Sequence, residues 1–179
     1  MISDLTLVLK AAEFAAHKHR KQKRKGKTQR PYIEHCIEVA HLLAGVGKVE
    51  DANVLAAALL HDTVEDTETT REELVRDFGS EVERYVNEVS DDKSFEKQRR
   101  KDLQIEHAPH LSPGAKLIKL ADKIANVHEI GEDPPTDWDE ERRSEYFAWA
   151  SAVVKAIGPV NDALEERFAR ALDKATQQA

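Results

Sequence analysis

Residues 52–66 read ANVLAAALLHDTVED and decide the fold of this chain. The first nine are apolar on nearly every side, so we predict a helix in the centre of the protein rather than on its surface. In a continuous helix, Glu65 would stand one turn above His61, and Asp66 one turn above Asp62. We therefore expect one imidazole and three carboxyl groups together at the end of a central helix.

This cluster of polar groups favours a metal site. Carboxyl groups crowded at one helix end repel one another unless a cation lies among them. A divalent metal needs neutral imidazole and ionised carboxylate ligands, which are the groups present here. A His-Asp pair also occurs often by chance, and the alternative is a capped helix end at which His61 bonds to a backbone carbonyl.

Two further polar residues lie within apolar stretches. His35 belongs to PYIEHCIEV (31–39), and Asp122 belongs to KLIKLADKIANV (116–127). A buried aspartate costs several kcal/mol unless it is paired or bound to a metal. We expect His35 and Asp122 to converge with His61 and Asp62 from three helices. Unrelated buried polar residues, each satisfied locally, are the alternative.

Composition points to one all-α domain spanning residues 1–179. Hydrophobic residues make up 40% of the chain and charged residues 34%, which suits a real core with a charged surface. Seven glycines and six prolines are few for a sandwich or barrel of many strands. Helical spacing, capping boxes at Thr70 and Ser80, and Pro113 predict a bundle of roughly eight helices. The first of them, residues 3–19, would bury a face that includes Leu5 and Leu9.

Charge is spread unevenly along the chain. Residues 18–30 contain eight Lys or Arg and no acid. The net charge of the whole chain is −7, so the other residues together carry −15. An acidic protein of this kind is not expected to coat nucleic acid, but it can hold a small, multiply phosphorylated ligand at one place. The single cysteine, Cys36, fits a reducing compartment, and no stretch is long enough to span a membrane. We expect a cytoplasmic protein.

Five stretches together resemble the HD phosphohydrolase superfamily, and more narrowly the RelA/SpoT-type small alarmone hydrolases, the group that includes the metazoan SpoT homologue. They are RPYIEHCIEVA, AAALLHDTVEDTETTREEL, FGSEV, SPGAKLIKLADKIANV and EYFAWASAVVK. The order His, His-Asp, Asp is the hallmark, and HDTVEDT between PYIEH and KLADKIAN is specific. The resemblance covers about residues 8–170.

The resemblance implies an all-α fold, a metal and a reaction. The implied metal is Mn²⁺, and the residues that match its ligands in the family are His35, His61, Asp62 and Asp122. Glu65 and Asp66 match the acidic pair beside the attacking water. The implied reaction removes pyrophosphate from the 3′ position of guanosine 3′,5′-bis(diphosphate) (ppGpp) or its pentaphosphate. This chain has Cys36 where the family has proline, which suggests an oxidation-sensitive site.

The same resemblance implies four substrate contacts. Arg24 and Lys25 match a basic pair that binds the nucleotide, which gives part of the basic segment a role, while most of its charges are expected to be solvated. Asn126, one turn after Asp122, matches a residue that contacts ribose. Tyr146 is a weaker candidate for packing on the nucleotide, because it is also explained as a core aromatic.

Two other functions stay open at this point. The same centre would serve a phosphatase of another nucleotide, such as a 5′-nucleotide, a cyclic nucleotide or the 2′-phosphate of NADPH. A helical module that binds RNA or a protein through residues 18–30 is the non-enzymatic alternative, and it predicts binding that needs no metal. His107 and His110 have the spacing of a second metal site, but we expect them on the surface.

Overall fold

The computed structural model describes residues 3–177, and within them the fold is all-α, as predicted. The only extended pairing in this range is an isolated bridge between Lys23 and Pro31. A π-helical turn (42–46) extends the second helix, and a 3₁₀ turn (108–110) follows the seventh. The helices are α1 (Asp4–Lys18), α2 (Ile33–His41), α3 (Ala52–Leu60), α4 (Thr63–Asp66), α5 (Arg71–Phe78), α6 (Ser80–Val89), α7 (Lys97–His107), α8 (Pro113–Glu132), α9 (Glu140–Ile157) and α10 (Asp162–Gln177).

Helix α3 lies at the centre, as its apolar sequence predicts. It begins where the Asp51 side chain accepts a 2.8 Å hydrogen bond from the backbone N–H of Asn53. Its residues from Ala56 to Leu60 are all buried, and it packs against α1, α2, α6 and α8. Small alanine side chains let these neighbours approach closely, so the C-terminal end of α3 is surrounded by other helices.

Helix α8 forms the second axis of the bundle. It begins at Pro113, directly after Ser112, and its twenty residues pack against α2, α6, α9 and α10. Asp122, Asn126 and Glu129 follow one another at intervals of one turn, so they lie along one edge of the helix. This edge faces the loop that joins α1 to α2.

Two details of the helices differ from the sequence predictions. Leu5 and Leu9 are 68% and 59% exposed, because α1 packs on α3 through the row Leu7, Ala11 and Ala15 instead. Within that row, Ala11 and Ala15 place small side chains against α3, which allows closer packing than leucine at these two positions would. Thr70 caps α5 as predicted, but Ser80 is already the first residue of α6 and caps nothing.

The basic segment between α1 and α2 folds as an ordered hairpin. Its two arms are joined by backbone hydrogen bonds from Tyr32 to Gln22 and from Arg24 to Arg30. The Asp133 carboxylate, at the end of α8, accepts hydrogen bonds from the backbone N–H groups of residues 27 and 28. A Cβ atom on Gly26 would overlap this carboxylate, so glycine is required there. The hairpin is thereby held against α8.

Helix α7 lies on the outside of the bundle. It has no fully buried residue, and it packs mainly against α9, where Trp149 Nε1 donates a 3.1 Å hydrogen bond to the Lys101 carbonyl. Among residues 3–177, no helix is both long and apolar enough to cross a membrane.

Candidate metal centre and nucleotide pocket

The helix predicted to continue through HDTVED breaks at His61 and Asp62. Helix α3 ends at Leu60, and α4 is a single turn that begins at Thr63. The Thr63 hydroxyl donates a 2.7 Å hydrogen bond to the Leu60 carbonyl and so satisfies an acceptor at the end of α3. The prediction of a continuous helix is therefore wrong at this point.

The two acids of α4 have different surroundings. Glu65 lines a small cavity of about 140 Å³ together with His61, Asp62 and Asp122. Asp66 lines a neighbouring cavity of about 370 Å³ instead. The acidic pair is therefore divided between two neighbouring cavities, as adjacent residues of one helix point in different directions.

The structure brings His35, His61, Asp62 and Asp122 together from α2, the end of α3 and α8. The Nε2 atoms of His35 and His61 are 3.3 Å apart. Asp62 Oδ2 lies 3.0 Å from His61 Nε2, and Asp122 Oδ1 lies 3.2 Å from His35 Nε2. Ligands bound at 2.0–2.2 Å in adjacent positions around one ion are about 3 Å apart, so these separations suit one shared cation.

Hydrogen bonding sets which nitrogen of His61 is free to bind a metal. Its Nδ1 lies 2.7 Å from the carbonyl oxygen of Ala58, an atom that only accepts, so Nδ1 carries the proton. The lone pair on Nε2 of the neutral ring then points towards His35 and the two aspartates. This is the arrangement of metal-binding histidines, whose other nitrogen donates to a fixed acceptor.

The charges of the centre also call for a cation. Burial lowers the pKa of His61, but the carboxylate of Asp62 outweighs it and raises that pKa to about 10. Likewise, the pKa of Asp62 lies well below its usual range, because His61 stabilises the carboxylate against the cost of burial. Without another cation, a proton on the imidazole balances the aspartates. A divalent metal would take over this role, so the residues present fit one.

Three side chains hold the aspartates in place. The Tyr32 hydroxyl donates a 2.6 Å hydrogen bond to Asp62 Oδ2. Asn126 Nδ2 donates a 2.6 Å hydrogen bond to Asp122 Oδ1, and Lys123 Nζ lies 3.0 Å from the other oxygen, Oδ2. Such partners fix the direction of a ligand and strengthen metal binding.

Glu65 and Asp66 are held by different groups. Glu65 Oε2 accepts a 3.0 Å hydrogen bond from the backbone N–H of Asp91, and burial raises the pKa of this carboxyl group. Asp66 is more open, and its two oxygens bond to Gln22 Nε2 at 3.0 Å and Lys93 Nζ at 2.6 Å. Glu65 is therefore the acid inside the candidate metal cavity.

All four residues proposed as substrate contacts line the 370 Å³ cavity: Arg24, Lys25, Asn126 and Tyr146. Arg24 is not a free cation, because its guanidinium pairs with buried Glu129 and donates a 2.7 Å hydrogen bond to Asn126 Oδ1. Lys25 is exposed at the edge of the cavity. Trp138 also lines the cavity.

A second, strongly basic cavity of about 500 Å³ adjoins the first. Lys25, Trp138 and Tyr146 line both cavities, and Asp91 and Gln104 connect the second to the metal cavity. Its wall carries five cations and only two acids, Asp91 and Glu145; the cations are Lys25, Lys97, Arg100, Lys101 and Arg142.

The basic cavity was missed by sequence reasoning. Burial and the neighbouring cations, Arg142 first among them, lower the pKa of Lys97, so positive charge is in excess there. The five cations come from the hairpin, α7 and α9, which are distant in sequence. The only signal was the cluster KQRRK (97–101), which lies in a stretch predicted only as a highly charged helix, residues 96–107.

Two other sequence features have no part in the centre. His107 and His110 are exposed, as expected, and neither belongs to the metal-ligand group formed by His35, His61 and Asp62 in the described residues. Cys36 is buried, and burial raises the pKa of its thiol well above the usual value. A protonated thiol reacts slowly with oxidants, so the structure does not favour an oxidation-sensitive site.

Comparison with known proteins finds chains that are similar to this one over nearly all of its length. The family model for the HD domain matches residues 11–148. The guanosine-3′,5′-bis(diphosphate) 3′-pyrophosphohydrolases MESH1 of Mus musculus and Homo sapiens are each 52% identical over 166 residues, which is 93% of this chain and 93% of theirs.

A solved structure has the same fold. It is described as "A metazoan ortholog of SpoT hydrolyzes ppGpp and plays a role in starvation responses", and it is 43% identical. The match covers 97% of each chain with a TM-score of 0.92. The fold, the converging His and Asp side chains and these similarities lead to one conclusion: the chain belongs to the HD-domain family.

Proposed function

We propose that this chain is a metal-dependent hydrolase that removes pyrophosphate from the 3′ position of guanosine 3′,5′-bis(diphosphate), leaving GDP, and that it acts in the same way on the pentaphosphate. One observation carries the proposal. Four metal-ligand side chains from three helices converge within 3.0–3.7 Å, beside a cavity whose wall is cationic and aromatic. The printed activity of the MESH1 relatives supports the choice of substrate.

His35, His61, Asp62 and Asp122 are the proposed metal ligands. Two imidazoles and two carboxylates leave positions open on a six-coordinate ion, and a set rich in oxygen and nitrogen suits Mn²⁺. When bound, such an ion acidifies water and polarises a phosphoryl group. Asn126 and Tyr32 hold the two aspartates so that their oxygens face the imidazoles.

Glu65 is the proposed proton acceptor. It lines the metal cavity, and its raised pKa makes it a better base near neutral pH. The backbone N–H of Asp91 binds Oε2, while Oε1 lies 3.8 Å from the guanidinium of Arg100. Water attacks the phosphorus attached to the ribose, Glu65 takes the proton, and the P–O bond to the 3′ oxygen breaks. That oxygen takes up a proton, and pyrophosphate leaves. Asp66 faces the nucleotide side of the same phosphorus.

The two larger cavities would hold the rest of the nucleotide. Arg24, fixed by Glu129, offers a guanidinium plane beside Tyr146 and Trp138, against which a base can stack. The basic cavity, whose wall carries more cations than acids, would accept a second diphosphate. An overall acidic protein would repel such a ligand, so local cations are needed at these positions.

A test of the function needs the protein, Mn²⁺ and a panel of nucleotides. We expect ppGpp to give GDP and pyrophosphate in equal amounts, separated by anion-exchange chromatography. His61→Ala and Asp62→Ala should lose both metal and activity, while Lys155→Ala, on the exposed side of α9, keeps both. Faster cleavage of NADPH, a 5′-nucleotide or a cyclic nucleotide would show that this compound, and not ppGpp, is the preferred substrate. Retained RNA binding without metal would favour the non-enzymatic alternative.

The cytoplasm is the compartment we infer for this activity. The free, buried Cys36 and the absence of any other cysteine in the sequence suit a reducing environment. Fractionation of cells that express the full-length protein would test this location.

A further inference from the structure

A buried histidine at the end of α1 has no role in the proposed chemistry. His19 is 2% exposed, and its ring stacks on Tyr32 with centroids 4.9 Å apart and an angle of 29° between the planes. Its Nδ1 lies 2.7 Å from Gln22 Oε1, and Gln22 Nε2 lies 3.0 Å from Asp66 Oδ2. One amide therefore connects a buried imidazole to one of the two acids beside the reacting phosphate.

Only one placement of protons satisfies this chain when Asp66 is ionised. A carboxylate accepts and cannot donate, so the Gln22 side chain must turn its NH₂ towards Asp66. Its carbonyl oxygen then faces His19 and requires a proton on Nδ1. Nε2 of the same ring has no hydrogen-bond partner in the described structure, so a neutral ring leaves a lone pair there, whereas a charged ring would bury an unpaired cation.

The charges around Asp66 are consistent with this assignment. Lys93 binds the second oxygen, Oδ1, at 2.6 Å, but its side chain is half exposed and therefore weakly held. Gln22 is the less mobile of the two partners, because its own oxygen is anchored to buried His19.

We infer that Gln22, oriented by His19, is a positioning residue that holds the Asp66 carboxylate in the nucleotide cavity. This inference rests on the proposed function, in which Asp66 lies beside the reacting phosphorus. Rotation of the Gln22 amide by half a turn would place its oxygen against the carboxylate and break the hydrogen bond, so His19 keeps the amide in the orientation that holds Asp66.

The first test reads the proton on His19 directly and needs no substrate. Long-range ¹H–¹⁵N NMR of the full-length protein, with His19 assigned by comparison with His19→Asn, distinguishes the two neutral tautomers. We expect a proton on Nδ1 and a bare Nε2 at pH 7. A proton on Nε2 alone would overturn the inference, because Nδ1 would then accept from Gln22 and turn the amide oxygen towards Asp66.

The second test measures how Gln22 affects the reaction. Gln22→Leu removes both amide hydrogen bonds at similar volume, and we expect kcat to fall about tenfold with KM changed less than threefold. Gln22→Glu places a second carboxylate against Asp66, which should move the acid limb of the kcat–pH profile upward by about one pH unit. A uniform loss at all pH values, with no displacement of the limb, would show a structural role and refute the inference.

A pair of substitutions at His19 separates hydrogen bonding from packing. His19→Phe keeps an aromatic ring against Tyr32 but loses the donor, and it should reproduce Gln22→Leu. His19→Asn keeps an N–H close to the position of Nδ1 and should recover most of the rate. His17→Phe, at an exposed position of the same helix, is the matched control.

These results also separate the inference from the proposed function. Wild-type protein that releases no pyrophosphate from ppGpp refutes the function, while the NMR result still decides the proton position. Active wild-type protein whose Gln22 variants behave like the control refutes the inference alone.

Discussion

The Tyr32 hydroxyl donates a 2.6 Å hydrogen bond to Oδ2 of Asp62, the same oxygen that lies 3.0 Å from Nε2 of His61. Tyr32 closes the basic hairpin, and Asp62 follows the central helix. This contact therefore joins the loop that lines the nucleotide cavity to the proposed metal centre. Arg24 extends the same connection, because its guanidinium lies 5.3 Å from the centre of the Tyr32 ring.

Tyr32→Phe is expected to weaken metal binding about tenfold without unfolding the protein. Loss of a hydrogen-bonding partner behind a metal ligand typically lowers metal affinity 10–100-fold, here roughly the lower value because Asp62 keeps its contact with His61. Competition with a fluorescent chelator measures the affinity. Tyr85→Phe, whose hydroxyl makes only a 3.4 Å contact with Glu81, is the control and should bind metal as the wild type does. Equal affinities for Tyr32→Phe and the control would contradict the prediction.

Metal binding should release a proton from the protein near neutral pH. Without a cation, Asp62 raises the pKa of His61 to about 10, so the ring is protonated at pH 7.5 and must lose that proton to bind a metal. Apparent affinity should therefore rise with pH up to about 10 and fall as the pH is lowered. Titration calorimetry in buffers of different ionisation enthalpy measures the protons released. Heats that do not depend on the buffer would show that His61 is already neutral.

The raised pKa of His61 also determines how the stability of the metal-free protein changes with pH. A raised folded pKa means that protonated His61 stabilises the fold fully below its unfolded pKa, about 6.5. This contribution is lost as pH rises from there through about 10. Urea unfolding of the chelator-treated protein at pH 6.5 and pH 9.5 should show lower stability at the higher pH. His61→Gln should remove this contribution to the difference.

Arg24→Met should destabilise the fold as well as weaken substrate binding. It leaves the carboxylate of Glu129, only 7% exposed, with Arg30 at 3.4 Å as its remaining cation. We expect a loss of about 3 kcal/mol, the lower end of the range for breaking a buried pair. The double variant Arg24→Met/Glu129→Met should recover most of the stability in urea unfolding but none of the substrate affinity.

An exposed pair provides the comparison for this experiment. Arg170→Met breaks the contact with Glu166 on α10, where both side chains are about two-thirds exposed, and should change stability by less than about 0.5 kcal/mol. A KM for Arg24→Met/Glu129→Met as low as that of the wild type would mean that Arg24 has only a structural role.

Lys97→Ala/Lys101→Ala should raise KM for ppGpp about tenfold and leave kcat nearly unchanged. Both lysines line the basic cavity, away from the proposed metal ligands, so they would contribute to binding rather than to the reaction itself. The dependence of KM on salt should also become weaker, because fewer charges contact the nucleotide. Steady-state kinetics at two salt concentrations measures both effects. An unchanged KM would place the second diphosphate elsewhere.

Sequence patterns alone were enough to predict a helical bundle and the types of residue that meet in the candidate metal centre. Apolar periodicity reports burial directly, and this is why α3 was correctly predicted as central and His35, His61 and Asp122 as polar groups near the core. The break after Leu60 was not predictable in this way, because the Thr63 hydroxyl competes for a carbonyl that an ideal helix would leave to a backbone N–H.

The sequence by itself determined an all-α chain with His and Asp residues on three helices and a basic segment before the first of them. Only the tertiary structure decided the distances among those residues, the pairing of Arg24 with Glu129 and Asn126, and the cavity formed by the hairpin, α7 and α9. The physical reason is the range of the interactions. Periodicity and capping act within a few residues, whereas metal geometry and a surplus of charge arise between side chains that are far apart in the chain. Arg24 and Asn126, which share a hydrogen bond, are 102 residues apart.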